Sequence, residues 1–421
     1  MSSIQDRHPQ VIMNTYGPPK RALVRGQGST VWDEDGTEYL DLLAGIAVNC
    51  LGHNHPALVE AISTQLQTLG HVSNFFATEP QVALAERLVA ICGGPDAAAE
   101  GARVFFTNSG TEANEAAFKL TRKTGRTKVL AAAGSFHGRS MGALALTSKE
   151  AYRTPFEPLP GGVEFVPYDD VEAFVAAIDG DTAAVILEPV QGEAGAVQPA
   201  DGLLQAARAA CDEHGALLWF DEVQSGIGRT GHWLAHQDPK HGGVRPDIIT
   251  LAKGLGGGFP VGACVALGEA GSMLVPGNHG TTYGGNPVAA AACLAVLDTI
   301  EGQDLMAHVV EVSEVFAALA ANDRVADVRR AGLLMGVDLE PVQDAADGHD
   351  NPAQVAFEVA MERGFIINAT GPHTLRLVPP LVLTTDEAQS FVEAFPGILD
   401  EAYARCAAAG ADASNGGGGS S

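Results

Sequence analysis

Two ionisable residues follow apolar, strand-like runs and could do chemistry together. Asp221 closes the run LLWF (217–220), and Lys253 follows TLA (250–252), directly before the glycine-rich turn GLGGGFP. A carboxylate in an apolar setting must be protonated or paired with a positive group. A lysine between an apolar strand and closely packed glycines is partly desolvated, which lowers its pKa and frees a nucleophilic amine. Because the lysine precedes the glycines, a Walker A phosphate loop is excluded.

Two further segments carry groups that suit a flat, phosphorylated ligand. In TNSGTEANEAAFKL (107–120), Ser109, Gly110 and Thr111 begin a helix, where backbone N–H groups, hydroxyls and the helix dipole favour a phosphate. The same stretch also fits an S-x-x-E capping box. In GSFHGRS (134–140), Phe136 can stack on a ring and Arg139 can bind a carboxylate. With a lysine for an aldehyde and an aspartate for a ring nitrogen, these are the groups that pyridoxal 5'-phosphate requires.

A different cofactor is suggested by GIGRTG (226–231), which matches the dinucleotide-binding pattern G-x-G-x-x-G. That motif must open a helix whose N-terminus faces a pyrophosphate. The residues that follow, HWLAHQDPKHGGVRPD, contain two prolines and two glycines and are unfavourable for a long helix. We therefore interpret the glycines as a turn after a strand and keep a nicotinamide-dependent oxidoreductase as the alternative.

The elements that must position these residues alternate between strands and helices. The predicted strands are VFFT (104–107), VILEP (185–189), LLWFDE (217–222) and DIITLA (247–252), then LLMGVDL (333–339) and LRLVPPL (375–381). This pattern predicts an α/β fold with a mostly parallel sheet, followed by a smaller α+β C-terminal domain. We expect an N-terminal segment (1–45) that packs with the small domain, a large cofactor-binding domain (46–286), the small domain (287–405) and a flexible Gly/Ser-rich tail (406–421).

Composition excludes several classes of function. A net charge of −26, from 25 basic and 51 acidic residues, disfavours nucleic acid and anionic membranes as partners. No apolar run is long enough to span a bilayer and the N-terminus lacks a secretory apolar segment, so we expect a cytoplasmic protein. Six scattered cysteines without a CxxC pair indicate buried thiols in a reducing compartment. The pairs His232/His236 and His53/His55 lack converging acids, so no metal site is expected.

Seven motifs occur in the order seen in the class III (ornithine-type) aminotransferases. They are NSGTEAN, FHGRS, EPVQGEAG, DEVQSGIGRTG, LAKGLGGGFP, HGTTYGGNP and LRLVPP, and the N-terminal region 14–60 looks like that of the same family. The resemblance covers about residues 10 to 405. It implies a fold-type I, pyridoxal-phosphate-dependent homodimer with active sites at the subunit interface.

The resemblance assigns a role to each matching residue. It implies that Lys253 condenses with the cofactor's aldehyde and that Asp221 keeps the pyridine nitrogen protonated. The other implied cofactor contacts are Ser109, Gly110 and Thr111 at the phosphate, Phe136 and Val223 on the ring faces, Gln224 near the phenolic oxygen, Glu222, and Thr282 from the partner subunit. The implied substrate contacts are Arg139, Thr281, Arg376 for the α-carboxylate of glutamate, and Glu193, which neutralises Arg376 when the amine donor binds through its other end.

The resemblance also implies the substrates. N2-acetyl-L-ornithine would donate its terminal amine to 2-oxoglutarate in a ping-pong cycle of arginine biosynthesis, giving N-acetyl-L-glutamate 5-semialdehyde and L-glutamate. Ornithine-specific members typically have a tyrosine where this chain has Ile46, which favours the acylated donor. Ornithine, succinylornithine and succinyl-diaminopimelate stay open as donors, because a hydrophobic pocket separates such groups by only about 1–3 kcal/mol. A non-catalytic binding module of this fold is disfavoured because Asp221 and Lys253 are both present.

Overall fold

The computed structural model describes residues 3–342 and 350–416. The strands are β1 (Leu23–Gln27), β2 (Thr30–Asp33), β3 (Glu38–Asp41), β4 (Arg103–Thr107), β5 (Lys128–Ala132), β6 (Val163–Val166), β7 (Thr182–Leu187), β8 (Leu217–Asp221), β9 (Ile248–Leu251), β10 (Gly262–Ala266), β11 (Val325–Ala331), β12 (Leu334–Leu339), β13 (Phe365–Ile366), β14 (Asn368–Ala369) and β15 (Thr374–Leu377). The helices are α1 (Ile4–Val11), α2 (Ala44–Ala47), α3 (Pro56–Thr68), α4 (Glu79–Gly93), α5 (Gly110–Thr121), α6 (Met141–Ala145), α7 (Glu150–Arg153), α8 (Val171–Ala176), α9 (Leu203–His214), α10 (Pro287–Gly302), α11 (Leu305–Val315), α12 (Pro352–Glu362) and α13 (Thr385–Gly416).

A seven-stranded sheet forms the centre of the molecule, in the order β4-β10-β9-β8-β7-β5-β6. Neighbouring strands are parallel except at β10, which runs antiparallel to both β4 and β9. Every residue of β7, TAAVIL, is buried, as expected of a strand with helices on both faces. The predicted α/β fold with a mostly parallel sheet is therefore confirmed.

The register of β8 and β9 brings the two reactive residues to one place. Asp221, the last residue of β8, pairs with Thr250 of β9, and Lys253 follows shortly after the end of β9. The carboxyl ends of adjacent parallel strands lie at one edge of a sheet. The strand ends predicted around Asp221 and Lys253 thus meet at the same edge.

Two smaller sheets flank the central one. Strands β1, β2 and β3 form a sheet whose fourth strand, β13, lies far along the chain and pairs parallel with β3. The other sheet has the order β11-β12-β15-β14 and includes the two strands predicted from LLMGVDL and LRLVPPL. Helix α10 packs against α3 and α4 across the predicted boundary at residue 287. The domain limits stay a prediction.

Two local expectations can be compared directly with the structure. Between Gly231 and β9 the chain forms short 3₁₀ turns (Ala235–Gln237 and Pro239–His241), which confirms that no long helix follows GIGRTG. Residues 406–416 of the predicted tail belong to α13, which continues to Gly416, and the flexibility of the tail stays a prediction. The alanine-rich run CAAAGADA has a high helix propensity that the nearby glycines and serines concealed. Residues 417–421 lie outside the described residues.

The cysteines and helices also bear on the composition argument. All six cysteines are buried and free, as predicted for thiols that pack as small apolar residues. Over residues 3–342 and 350–416, none of the helices is both long enough and apolar enough to traverse a bilayer.

Candidate active site

A cavity of about 440 Å³ opens where β8 and β9 end. The loop 134–140 and the start of α5 complete its wall, so segments distant in sequence share one space. The lining residues are Val48, Asn108, Ser109, Gly110, Thr111, Asn114, Phe136, His137, Gly138, Arg139, Glu188, Asp221, Val223, Gln224, Ala252, Lys253, Gly258, Phe259, Pro260 and Val261.

Asp221 is fixed by hydrogen bonds to both of its carboxylate oxygens. Oδ2 accepts from Nδ1 of His137 at 2.7 Å and from Nδ2 of Asn114 at 2.8 Å, and Oδ1 accepts from the backbone N–H of Val223 at 3.0 Å. The side chains of Asp221 and His137 are 3% and 0% exposed. These donors compensate a buried carboxylate for the water that it has lost. The cavity wall therefore carries a rigidly oriented acid.

Lys253, at the end of the neighbouring strand β9, has a backbone conformation that non-glycine residues rarely adopt. Its φ of +45° is in the left-handed region, and it begins a 3₁₀ turn that ends at Gly256. Burial lowers the pKa of Lys253 to about 8, with Arg376 acting in the same direction and Glu193 opposing. A lysine with such a pKa has a usable fraction of neutral, nucleophilic amine near neutral pH. This is the direction of pKa shift that the sequence predicts, and the catalytic role of Lys253 stays a prediction.

The start of α5 forms the part of the wall where an anion site was predicted. The Ser109 hydroxyl caps this twelve-residue helix by accepting from the N–H of Glu112 at 3.3 Å. The Glu112 carboxylate accepts from the N–H of Asn108 at 2.9 Å instead of that of Ser109, so the expected capping box is only half formed. A Cβ on Gly110 would lie 2.7 Å from Cγ1 of Val223. The glycine thus lets the helix start approach the end of β8 closely.

Phe136 and Arg139 reach the cavity from the loop after β5. The Phe136 ring packs edge-on against Tyr152, with centroids 6.5 Å apart and planes at 89°. The exposed Arg139 guanidinium lies over the Tyr152 ring, 3.5 Å from its centroid. A cation over an aromatic face is attracted by the ring's quadrupole. Tyr152 therefore orients both predicted residues, although the sequence did not indicate it.

A buried arginine lies beside the cavity residue Gln224. Nη1 of Arg376 donates to the carboxylate of Glu193 and to Oε1 of Gln224 at 3.2 Å, and Nη2 donates to Oδ1 of Asn368 at 2.8 Å. The Arg376 side chain is 2% exposed, whereas that of Glu193 is 33% exposed. Burial opposes ionisation of Glu193, but the positive charges of Arg376 and Lys253 outweigh it and hold the pKa of Glu193 below its usual value.

Five predicted residues do not line this cavity: Arg376 and Glu193, which lie beside Gln224, and Glu222, Thr281 and Thr282. Glu222 is buried behind it, where its oxygens accept from the N–H groups of Ala235 at 3.0 Å and His236 at 2.9 Å. The Glu222 side chain points away from the cavity because consecutive residues at a strand end point to opposite sides, and its role as a cofactor contact stays a prediction. Thr281 and Thr282 line a second cavity, of about 710 Å³. Their roles, one of which concerns a partner subunit, stay predictions.

Ile46 lies in a left-handed turn, two residues before the cavity residue Val48. Ala44, Gly45, Ile46 and Ala47 all have φ between 50° and 68°. Ile46 is 39% exposed and does not line the cavity of its own chain, whereas Val48 does. The donor preference drawn from Ile46 also stays a prediction.

Comparison with known proteins identifies the family. Residues 11–399 match the family model described as aminotransferase class-III. The chain belongs to the class III aminotransferases. It is 52% identical over 404 residues to the acetylornithine aminotransferase of Mycolicibacterium smegmatis, covering 95% of this chain and 99% of that protein. It is 53% identical over 399 residues to the acetylornithine aminotransferase of Corynebacterium efficiens, with coverages of 93% and 96%. The crystal structure of the ornithine aminotransferase from Toxoplasma gondii has a TM-score of 0.85 at 28% identity, covering 94% of this chain and 93% of that one.

As a class III aminotransferase, the chain uses pyridoxal 5'-phosphate. The cavity fits this group in three respects. Lys253 offers an amine of lowered pKa, the start of α5 offers N–H groups for a phosphate, and Asp221 offers a fixed carboxylate. The close approach of Gly110 to Val223 leaves no room for a side chain between the helix and the strand end.

Four polar cavity residues were absent from the predictions for this aminotransferase: Asn108, Asn114, His137 and Glu188. Asn114 follows Gly110 by one helical turn, and His137 lies within a segment already chosen for its neighbours. Glu188 directly follows β7, so its place beside a strand end was a usable signal. Burial raises the pKa of Glu188 to about 7, with His137 opposing and Asp221 reinforcing the shift.

Proposed function

We propose that this chain transfers the terminal amine of N2-acetyl-L-ornithine to 2-oxoglutarate, giving N-acetyl-L-glutamate 5-semialdehyde and L-glutamate. The observation that carries the proposal is the identity of 52% over nearly the whole length of an acetylornithine aminotransferase. The cavity supports it, because Lys253 and Asp221 lie at the ends of adjacent strands. Arginine biosynthesis is the corresponding pathway.

The residues of the cavity account for the chemistry. When bound, pyridoxal 5'-phosphate supplies an aldehyde for amines and a ring that withdraws electrons from the substrate carbon. We assign Asp221 to the ring nitrogen, where its fixed negative charge holds a proton in place. Lys253 Nζ, neutral above a pKa of about 8, takes the proton from the amine-bearing carbon of the substrate. We assign Ser109, Gly110 and Thr111 to the phosphate and Phe136 and Val223 to the two faces of the ring.

Arg376 and Glu193 address the need to accept two different substrates in turn. We propose that Arg376 binds the α-carboxylate of glutamate or 2-oxoglutarate after Glu193 moves away. The partial exposure of Glu193 supports this, because solvent can replace its contacts. When acetylornithine enters through its amine end, Glu193 stays on Arg376 and neutralises it. Arg139, at the cavity mouth, then holds the carboxylate of the donor.

We further propose a homodimer in which Thr282 reaches the partner's cavity. The second cavity that contains Thr281 and Thr282 is also lined by Phe75, whose side chain is 93% exposed in the single chain. Phe76 beside it is 67% exposed. Large exposed aromatic residues at a cavity are typical of surfaces that a protein partner covers. The free cysteines support the expectation of a reducing, cytoplasmic compartment.

The test uses half-reactions of the chain reconstituted with pyridoxal 5'-phosphate. Acetylornithine, ornithine, 4-aminobutyrate and succinyl-diaminopimelate are each mixed with the yellow protein, and the decay of its visible absorbance gives kcat/KM. We expect acetylornithine to react fastest and Lys253→Ala to abolish the change. A faster reaction with ornithine would show that Ile46 does not favour the acylated donor. A protein that stays colourless after reconstitution would contradict the aminotransferase proposal itself.

A further inference from the structure

Arg229, in the GIGRTG loop, is a buried cation with no carboxylate partner in the part of the chain that the structure describes. It is 2% exposed, and burial lowers its pKa to about 10. Nη1 donates to the main-chain carbonyls of Leu333 at 3.1 Å and Pro379, while Nη2 has no hydrogen-bond partner among the described residues. An unpaired buried charge is costly. Filling space alone does not account for an arginine here, since a neutral side chain would avoid this cost.

Both carbonyls lie directly beside the strand pair that includes Arg376. Leu333 directly precedes β12, and Pro379 follows shortly after β15. Arg376 of β15 pairs with Gly336 of β12 in the same sheet. The Arg229 guanidinium therefore binds β12 and β15 at the end of the pair that lies near Arg376, whose side chain donates to Gln224.

The contact between the two segments is also tight along the backbone. The N–H of Leu333 donates to the carbonyl oxygen of Arg229 at 3.0 Å. A Cβ on Gly332 would lie 2.7 Å from that oxygen and from the backbone of Thr230. The loop is itself attached to the end of β8, because the N–H of Gly226 donates to the carbonyl of Glu222, the residue after β8, at 2.9 Å. The distance between β8, which ends in Asp221, and β15, which carries Arg376, is therefore closely constrained.

We propose that Arg229 is a positioning residue, which sets the separation between Arg376 and the reactive pair Lys253 and Asp221. It does not line the cavity, so it acts through Arg376. Its two carbonyl bonds hold the guanidinium of Arg376 where a bound α-carboxylate brings the adjacent carbon to Lys253 Nζ. This inference rests on the proposed function, in particular on the binding of the substrate carboxylate by Arg376.

The first variant is Arg229→Lys, which keeps the charge but replaces the planar fork of donors by a single ammonium. We expect KM for 2-oxoglutarate to rise about 10-fold while kcat changes less than about 3-fold, since the carboxylate anchor shifts relative to the reacting groups. The half-reaction with n-butylamine, which has no carboxylate, should be unchanged. An equal loss of rate with both classes of substrate would indicate a merely structural role and overturn the proposal.

Arg126→Lys is the matched control. Nη1 of Arg126 donates to the carbonyls of Thr182, His214 and Gly215 at 2.9, 2.8 and 3.2 Å, and no carboxylate pairs with it among the described residues. These carbonyls lie at the opposite edge of the central sheet, where β7 and β8 begin. We expect a similar loss of thermal stability without a change in KM for 2-oxoglutarate.

Two further variants separate this inference from the proposed function. Arg376→Lys should raise KM for 2-oxoglutarate more than Arg229→Lys does. An unchanged KM in Arg376→Lys would contradict the proposed role of Arg376, whereas a change there but not in Arg229→Lys would contradict only the role of Arg229. If the arginine variants do not fold, Gly332→Ala is tested instead, because its Cβ would push the backbones of Gly332 and Arg229 apart. A folded Gly332→Ala protein with an unchanged KM would also overturn the proposal.

Discussion

Asp221 and Arg376 are both buried, but the structure compensates their charges in different ways. Asp221 accepts hydrogen bonds from His137 and Asn114, whose side chains belong to the interior of the large sheet and its helices. The acidic partner of Arg376 is Glu193, a third of whose side chain is exposed. The partners of Asp221 cannot leave without unpacking the interior, whereas Glu193 can exchange its arginine contact for water.

This difference matches the different tasks that we propose for the two groups. A charge that holds one cofactor throughout the cycle benefits from partners that stay in place. A charge that binds a substrate carboxylate in one half-reaction and must be neutralised in the other needs a partner that can be displaced. Breaking a buried charge pair by removing one partner is costly, so an exchangeable partner must be matched by an incoming carboxylate.

The largest expected effect is that of Asp221→Asn, which removes the buried charge whose partners stay in place. The amide keeps the shape but removes the negative charge that we assign to the ring nitrogen, so we expect kcat to fall by about 10³-fold. Steady-state rates with acetylornithine and 2-oxoglutarate measure the loss. Asp212→Asn is the matched control, because Asp212 is exposed and pairs only with Arg208 among the described residues. A loss under about 10-fold in Asp221→Asn would show that the charge is dispensable.

Glu193→Gln tests the second charge, because it removes the exchangeable carboxylate partner of Arg376. Without a competing carboxylate on Arg376, KM for 2-oxoglutarate should fall about 5- to 10-fold, which corresponds to roughly 1–1.4 kcal/mol. The half-reaction with acetylornithine should slow, because the donor's carboxylate is then drawn to Arg376. The two KM values together measure the effect, and Glu172→Gln, at an exposed position of α8, serves as the control. A rise in KM for 2-oxoglutarate would mean that Glu193 supports Arg376 instead of competing for it.

His137 tests whether the partners of Asp221 act through orientation. In His137→Ala the carboxylate loses one of its donors, and we expect kcat to fall about 5- to 10-fold and stability by about 1–3 kcal/mol. In His137→Asn an amide N–H can replace Nδ1 as donor to Asp221. Relative to His137→Ala, kcat should therefore recover a larger share of its loss than the free energy of unfolding does. Thermal unfolding and kcat measured on both variants separate the two contributions. Equal kcat values in the two variants would argue against orientation through this bond.

The pKa of Lys253 gives a smaller effect that appears in a pH profile. Because burial lowers that pKa to about 8, the rate at which the protein freed of cofactor captures pyridoxal 5'-phosphate should rise as the pH increases through about 8 and then level off. An exposed lysine would place the same rise near 10.5, the ordinary value for its side chain. Absorbance after rapid mixing follows the capture, with Lys253→Ala as the blank. A rate that still climbs above pH 10 would contradict the desolvated amine.

Much of the site could be predicted because its signals are local. Lys253 and Asp221 each directly follow or close an apolar run, and strand ends in a parallel sheet converge on one edge. The sequence does not say which side of a strand end faces the cavity, so it could not show that the Glu222 side chain points away from it. His137 and Asn114 were missed because their role depends on a contact with Asp221 across more than 80 residues of chain.

By itself the sequence determined the family, the fold class and the reactive amine and acid, since motif order, apolar periodicity and strand-end position are all properties of short segments. Only the tertiary structure decided which partners compensate each buried charge. It also shows that Arg229, within the G-x-G-x-x-G match, donates to the carbonyls of Leu333 and Pro379, which flank β12 and the Arg376-bearing β15. Compensation of a buried charge depends on distances of a few ångströms between remote segments, and those distances are set by packing.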